Sequence, residues 1–126
     1  SSVACSGNGR FVAVGTEDGS VTLFDVAKRR ILPLPKDHTG IVSCLRFTPD
    51  SKTLASASWD GTVRLWNIST GQSALTLRRV GGISGVAFAQ DGRLMVTSGA
   101  DATVKLWPAV SLEEADAAPQ QSPRSK

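Results

Sequence analysis

Cysteine is scarce: Cys5 and Cys44 are the only two in 126 residues. Their separation gives no close-spaced metal-ligand pair, and Cys5, Cys44 and His38 make a weak metal set because Cys5 aligns with apolar positions of a repeat described below. A small secreted domain would normally carry more cysteine, so a reduced, intracellular setting is expected, in cytoplasm or nucleus. Histidine occurs once, as His38, and aromatic residues make up 6% of the chain, leaving few rings for stacking on bases. Gly, Ser or Pro interrupts every uncharged run before the roughly 18 residues needed to cross a bilayer, so neither a transmembrane helix nor a signal peptide is expected. The chain opens Ser1-Ser2-Val3 without Met, which reads as a piece of a longer product.

The remaining composition is that of one ordinary globular domain, 40% hydrophobic and 20% charged, with a net charge of +3 that demands no polyanionic partner. What stands out is repetition. SGNGRFVAVGTEDGSVTLFDV from Ser6, TPDSKTLASASWDGTVRLWNI from Thr48 and AQDGRLMVTSGADATVKLWPA from Ala89 superpose without a gap. Asp18, Asp60 and Asp101 keep intervals of 42 and 41, as do Phe24, Trp66 and Trp107. A period of about 40 to 45 residues built from short strands is the mark of one β-propeller blade per repeat.

Phe11 to Gly15, Val21 to Asp25, Leu54 to Ser58, Val63 to Asn67, Leu94 to Ser98 and Val104 to Trp107 are short runs of β-branched or bulky apolar residues. Asp18-Gly19 and Asp60-Gly61 predict tight hairpins, and Gly7-Asn8-Gly9 reads as a turn, lacking the third glycine and the helix of a dinucleotide cradle. Pro33 and Pro35 fall where the outermost strand of the first unit should run, the one place that tolerates residues unable to donate to a ladder. The expectation is an all-β protein of four-stranded antiparallel blades. About three blades occupy 1–36, 37–78 and 79–108, the last with no convincing fourth strand, and a flexible tail follows at 109–126. A closed propeller takes about four to eight blades, so this reads as part of a larger one, completed by further blades of a longer chain or by a second copy.

With Ser58-Trp59-Asp60-Gly61-Thr62-Val63-Arg64-Leu65-Trp66-Asn67 and Asp37-His38-Thr39 in view, the chain resembles the tryptophan-aspartate (WD) repeat family. That resemblance implies a hydrogen-bonded set of His38, Ser56, Asp60 and Trp66. Ser58 competes with Ser56 for the hydroxyl role, and Thr97, four residues before Asp101, favours Ser56. Arg79 stands at the histidine position of the third unit, and Val14 and Phe24 stand at the hydroxyl and indole positions of the first. Those two units should rest mainly on apolar packing. Ser56, His38 and Asp60 are also the residue types of a hydrolase triad, but the Asp and hydroxyl positions recur in a unit that lacks histidine, so no catalytic residue, cofactor or metal is expected.

The resemblance further implies a non-enzymatic scaffold that helps assemble a multiprotein complex, its partners being proteins or peptides. Contacts are expected at exposed loops at one end of the blades: Trp59 and Glu17, just before their turn Asp residues, with Ile41 and Ser43 at the start of the next strand. An alternative is a nucleic-acid or phosphopeptide reader using Lys28, Arg29, Arg30, Arg78 and Arg79 as anion contacts.

Overall fold

The computed structural model describes residues 2–78, 81–90, 92–108 and 124–125. Among them there is no helix; the chain forms three four-stranded antiparallel sheets, part of an unclosed propeller. The first sheet is β1 (Ser2–Cys5), β2 (Phe11–Gly15), β3 (Val21–Asp25) and β4 (Arg30–Pro33), joined in that order. The second is β5 (Val42–Phe47), β6 (Thr53–Ser58), β7 (Thr62–Asn67) and β8 (Gln72–Arg78). The third is β9 (Ile83–Phe88), β10 (Leu94–Gly99), β11 (Val104–Pro108) and β12 (Arg124–Ser125).

Hairpin chemistry sets the register. Gly19 and Gly61 take up the left-handed backbone of the β2–β3 and β6–β7 turns, at φ 91° and 88°, and Ala102 is forced into it at φ 64° in the third. Pro33 lies on outer strand β4 opposite Thr22, where its missing N–H disturbs no inner ladder. The third sheet differs from the sequence expectation: Arg124 and Ser125 pair with Leu106 and Lys105, so it has a fourth strand. Two polar residues in an Arg-Ser dipeptide carry no apolar alternation by which a strand could be read in advance. The rest of the segment expected as a flexible tail, 109–123 and 126, lies outside the described residues.

The core consists of two seams between sheets. Phe11, Ala13, Val21, Leu23 and Leu34 of the first repeat meet Val42, Leu45, Leu54, Trp66 and Ile68 of the second. On its other side the second sheet packs Ala55, Ala57, Val63 and Leu77 against Ile83, Val86, Met95 and Trp107. Strand β6 is therefore buried along its whole length, odd positions toward the third sheet and even ones toward the first. The small residues matter as much as the large. A Cβ on Gly15 would collide with the Val42 side chain, and one on Gly19 with the His38 carbonyl, so the first two sheets approach at backbone distance there. The initial strands β1, β5 and β9 lie side by side, with Ser2 Oγ donating to the Val42 carbonyl (3.1 Å) and Ser43 Oγ to that of Ile83.

Candidate functional site

Two groups of side chains carry chemistry: one buried in the middle sheet, one exposed at the end of the sheets that bears the β2–β3, β6–β7 and β10–β11 turns. The buried group begins with Trp66 on β7, whose indole N–H donates to Ser56 Oγ at 2.8 Å. Ser56, on neighbouring β6, lies 2.7 Å from His38 Nε2, and His38 Nδ1 lies 3.1 Å from Asp60 Oδ2 and 3.0 Å from Thr62 Oγ1. Asp60 also accepts the backbone N–H of Thr39 at 2.9 Å and that of Thr62 at 2.8 Å.

Proton counting fixes the direction of every bond. An ionised carboxylate only accepts, so Nδ1 of His38 carries the imidazole proton toward Asp60; Nε2 is then an acceptor and receives the Ser56 O–H; the Ser56 oxygen is left to accept from Trp66. Thr62 donates its hydroxyl to Asp60 and shares the Nδ1 proton. Neutral His38 satisfies this set completely. Burial pushes the imidazole below its ordinary value near 6.5, against the pull of the Asp60 carboxylate. Burial would raise Asp60, but hydrogen bonds from the Thr62 hydroxyl and from the Thr39 and Thr62 backbone hold its carboxyl below the usual range.

The Ser–His–Asp connectivity is that of a hydrolase triad, yet Ser56 is 0% exposed and its oxygen is held by the indole of Trp66. No substrate reaches it. Ser58, the other hydroxyl on that face, accepts instead from the backbone N–H of Asp60 and shapes the turn. In the third sheet, Trp107 donates to Thr97 Oγ1 at 2.9 Å. Arg79, at the corresponding histidine position, lies outside the described residues. Sequence reasoning missed Thr62: a threonine at the head of a strand reads as β-propensity alone, and only its position two residues after Asp60 hinted at the bond.

The exposed group is a row. The Val42 backbone N–H donates to the Thr16 carbonyl at 3.2 Å and that of Trp59 to the Ile41 carbonyl at 3.0 Å, while a Cβ on Gly82 would stand 3.2 Å from Trp59 Cα. The backbone therefore strings Glu17, Ile41, Trp59 and Gly82 from the first sheet to the third. Trp59 is 64% exposed, whereas Trp66 and Trp107 are 1% and 3% exposed. Ile41 and Glu17 are also exposed. The Ser43 hydroxyl donates toward the Ile83 and Ala57 carbonyls and ties the second sheet to the third.

Among the described residues, the members of the basic set do not converge. Lys28 and Arg29 lie in the β3–β4 turn and Arg30 opens β4 in register with Asp25, while Arg78 ends β8 in register with Thr62 at the opposite end of its sheet. Asp25 is itself held by Arg10 at 3.1 Å. Among the described residues no group of three or more His, Cys, Asp or Glu side chains is placed to hold a metal ion, and no helix is long and apolar enough to cross a membrane.

Comparison with known proteins accords with this geometry. The profile described as "WD domain, G-beta repeat" matches residues 1–25, 30–67 and 72–108. The chain is 33% identical over 75 residues to NACHT domain- and WD repeat-containing protein 1 of Mus musculus, covering 60% of this chain and 5% of that protein. It is 42% identical over 59 residues to the serine-threonine kinase receptor-associated protein of Dictyostelium discoideum, covering 47% and 20%. It is 41% identical over 69 residues to the periodic tryptophan protein 2 homolog of Mus musculus, covering 54% and 8%. The chain thus spans a fifth or less of these relatives' lengths. Relatives of this kind suggest, in general terms, a protein-interaction scaffold. Three profile matches, each taking in the three inner strands of one sheet and the last two beginning on the outer strand of the sheet before, establish that the chain belongs to the WD domain, G-beta repeat family.

Proposed function

We propose that this chain is a non-enzymatic scaffold within a multiprotein complex, three blades at about 1–36, 37–78 and 79–108 presenting the row Glu17, Ile41 and Trp59 to peptide segments of other proteins. The reading rests on one observation: Trp59 is 64% exposed in a hairpin turn that needs no indole to form, on a backbone stiffened by the buried set beneath it. His38, Ser56, Asp60, Thr62 and Trp66 act as structure, fixing the turn from which Trp59 projects. The two free cysteines support a reduced, intracellular setting.

A random-peptide display library panned on the immobilised 126-residue chain tests this. Selected peptides should lose binding to Trp59→Ala, whose melting temperature should match the parent because the indole is exposed, and keep binding to Lys28→Ala with Arg29→Ala and Arg30→Ala. Equal binding to the Trp59→Ala chain would remove the row from the interface. Binding lost only in the triple basic variant, and falling steeply with salt, would favour an anionic partner instead.

A further inference from the structure

Charge distinguishes what the Trp59 row can receive. Three exposed carboxylates lie at this end in the first blade and the loop that follows it: Glu17, Asp18 and Asp37. Asp18 has Lys36 at 3.8 Å and Asp37 has Arg64 at 3.7 Å, so each has a cation beside it. Glu17 has none: among the described residues no cation lies within ion-pair distance of it. Asp18 also accepts hydrogen bonds from the Thr16 hydroxyl and the Ser20 backbone, which with Lys36 hold its carboxyl down to about 2 and keep it ionised. Trp59 is 64% exposed in the same row, next to Gly40 and Gly82, which carry no side chain. Elsewhere at this end, the described charged groups include Asp60, held by His38 and Thr62, Asp101, bonded to Thr103, and Arg78 on the outermost strand of the second sheet.

An unpaired carboxylate in the same row as an exposed indole, with Ile41 between them, offers the two groups that a long side chain ending in a guanidinium or ammonium satisfies, one by charge and one by its ring. We propose that the ligand of this row is a peptide segment bearing a lysine or arginine side chain, which lies against Trp59 with its charge facing Glu17 while its apolar stem covers Ile41. The proposal rests on the Trp59 row being an interface and adds the sign of the partner.

The display experiment separates the two claims. Peptides selected on the unmodified chain should be enriched in Arg and Lys, and their binding should weaken about tenfold in Glu17→Gln and fall as salt is raised. Glu17→Lys should turn the selection toward Asp and Glu. Peptides that require Trp59 but show no basic bias, or whose binding is indifferent to Glu17→Lys, would overturn the cationic partner and leave the row standing. Peptides indifferent to both Trp59→Ala and Glu17→Lys would overturn both. The NMR signal of the Trp59 indole N–H is a second readout: a selected basic peptide should shift it and leave those of Trp66 and Trp107, both buried, unchanged.

Discussion

The first and second sheets are two solutions to the same repeat, and they part at two positions that look the same way. Where the second has Ser56 and Trp66, 0% and 1% exposed, the first has Val14 and Phe24, 41% and 37% exposed. The register places Val14 opposite Val3, and Phe24 opposite Val12 and Ile31, so these side chains share one sheet face, and it is uncovered. The corresponding face of the second sheet is covered by the first. Burial is what makes the polar set worthwhile: inside a seam, an indole N–H or imidazole nitrogen without a partner costs about 1 to 3 kcal/mol, so each buried member needs another to bond to. The third sheet is intermediate, with Trp107 and Thr97 joined at 2.9 Å.

The largest test of this contrast is truncation of the paired aromatics. Trp66→Ala empties a filled seam and removes the indole donor of the Ser56 oxygen, and should cost about 3 to 5 kcal/mol in urea denaturation. Phe24→Ala, on the open face, should cost less than about 1 kcal/mol. Similar losses at both positions would mean that the first face is covered in solution. Next in size, Ser56→Ala leaves Trp66 and His38 Nε2 both without a partner and should cost about 2 kcal/mol. Combined with His38→Ala it should show coupling well above zero, which independent packing contributions would not.

Acid sharpens the comparison further. The folded chain resists protonating His38, because burial disfavours the charged ring and a proton on Nε2 would take away the acceptor of the Ser56 O–H. The unfolded chain protonates it normally. Stability from this source is therefore present above about pH 6.5 and declines as pH falls below it, since the unfolded state then binds the extra proton. The Asp60 contribution adds at lower pH, being lost as pH falls through the ordinary carboxylate value near 3.8 and below. The urea midpoint should drop between pH 7.5 and 5.5 in the parent, and drop less in His38→Ala. Equal drops would place the acid sensitivity elsewhere.

How much of this was legible in the sequence follows from what each interaction leaves behind. Strands β2, β3, β6, β7, β10 and β11 announce themselves as short β-branched or apolar runs, and Asp-Gly marks the turns of the first two pairs; the repeat then carries the signal to the third. Contacts that join repeats leave no such trace. Nothing near Ser43 reveals that its hydroxyl reaches Ile83, 40 residues away. The basic residues 28–30 and 78 look like one cluster type in sequence, and only strand register shows them at opposite sheet ends. Thr62 and β12 escaped because a single threonine and an Arg-Ser dipeptide fit too many roles.

The smallest effect concerns the third hairpin, where the repeat breaks its own rule. Gly19 and Gly61 hold the left-handed position of their turns at no steric penalty, but Ala102 holds the equivalent one at φ 64°. A side-chain-bearing residue there loses roughly 1 to 2 kcal/mol. Glycine would relieve that loss while adding about 0.4 to 1 kcal/mol of unfolded-chain entropy, so the two terms oppose. The strain is the larger, and Ala102→Gly should raise stability by about 0.5 to 1 kcal/mol, read as a higher urea midpoint at unchanged slope. Gly61→Ala should move it the other way by about 1 kcal/mol or more, since the strain term reappears in a sheet packed on both sides. If Ala102→Gly lowered the midpoint, the third hairpin would be shaped by contacts outside its turn, and its likeness to the other two would stop at the sequence.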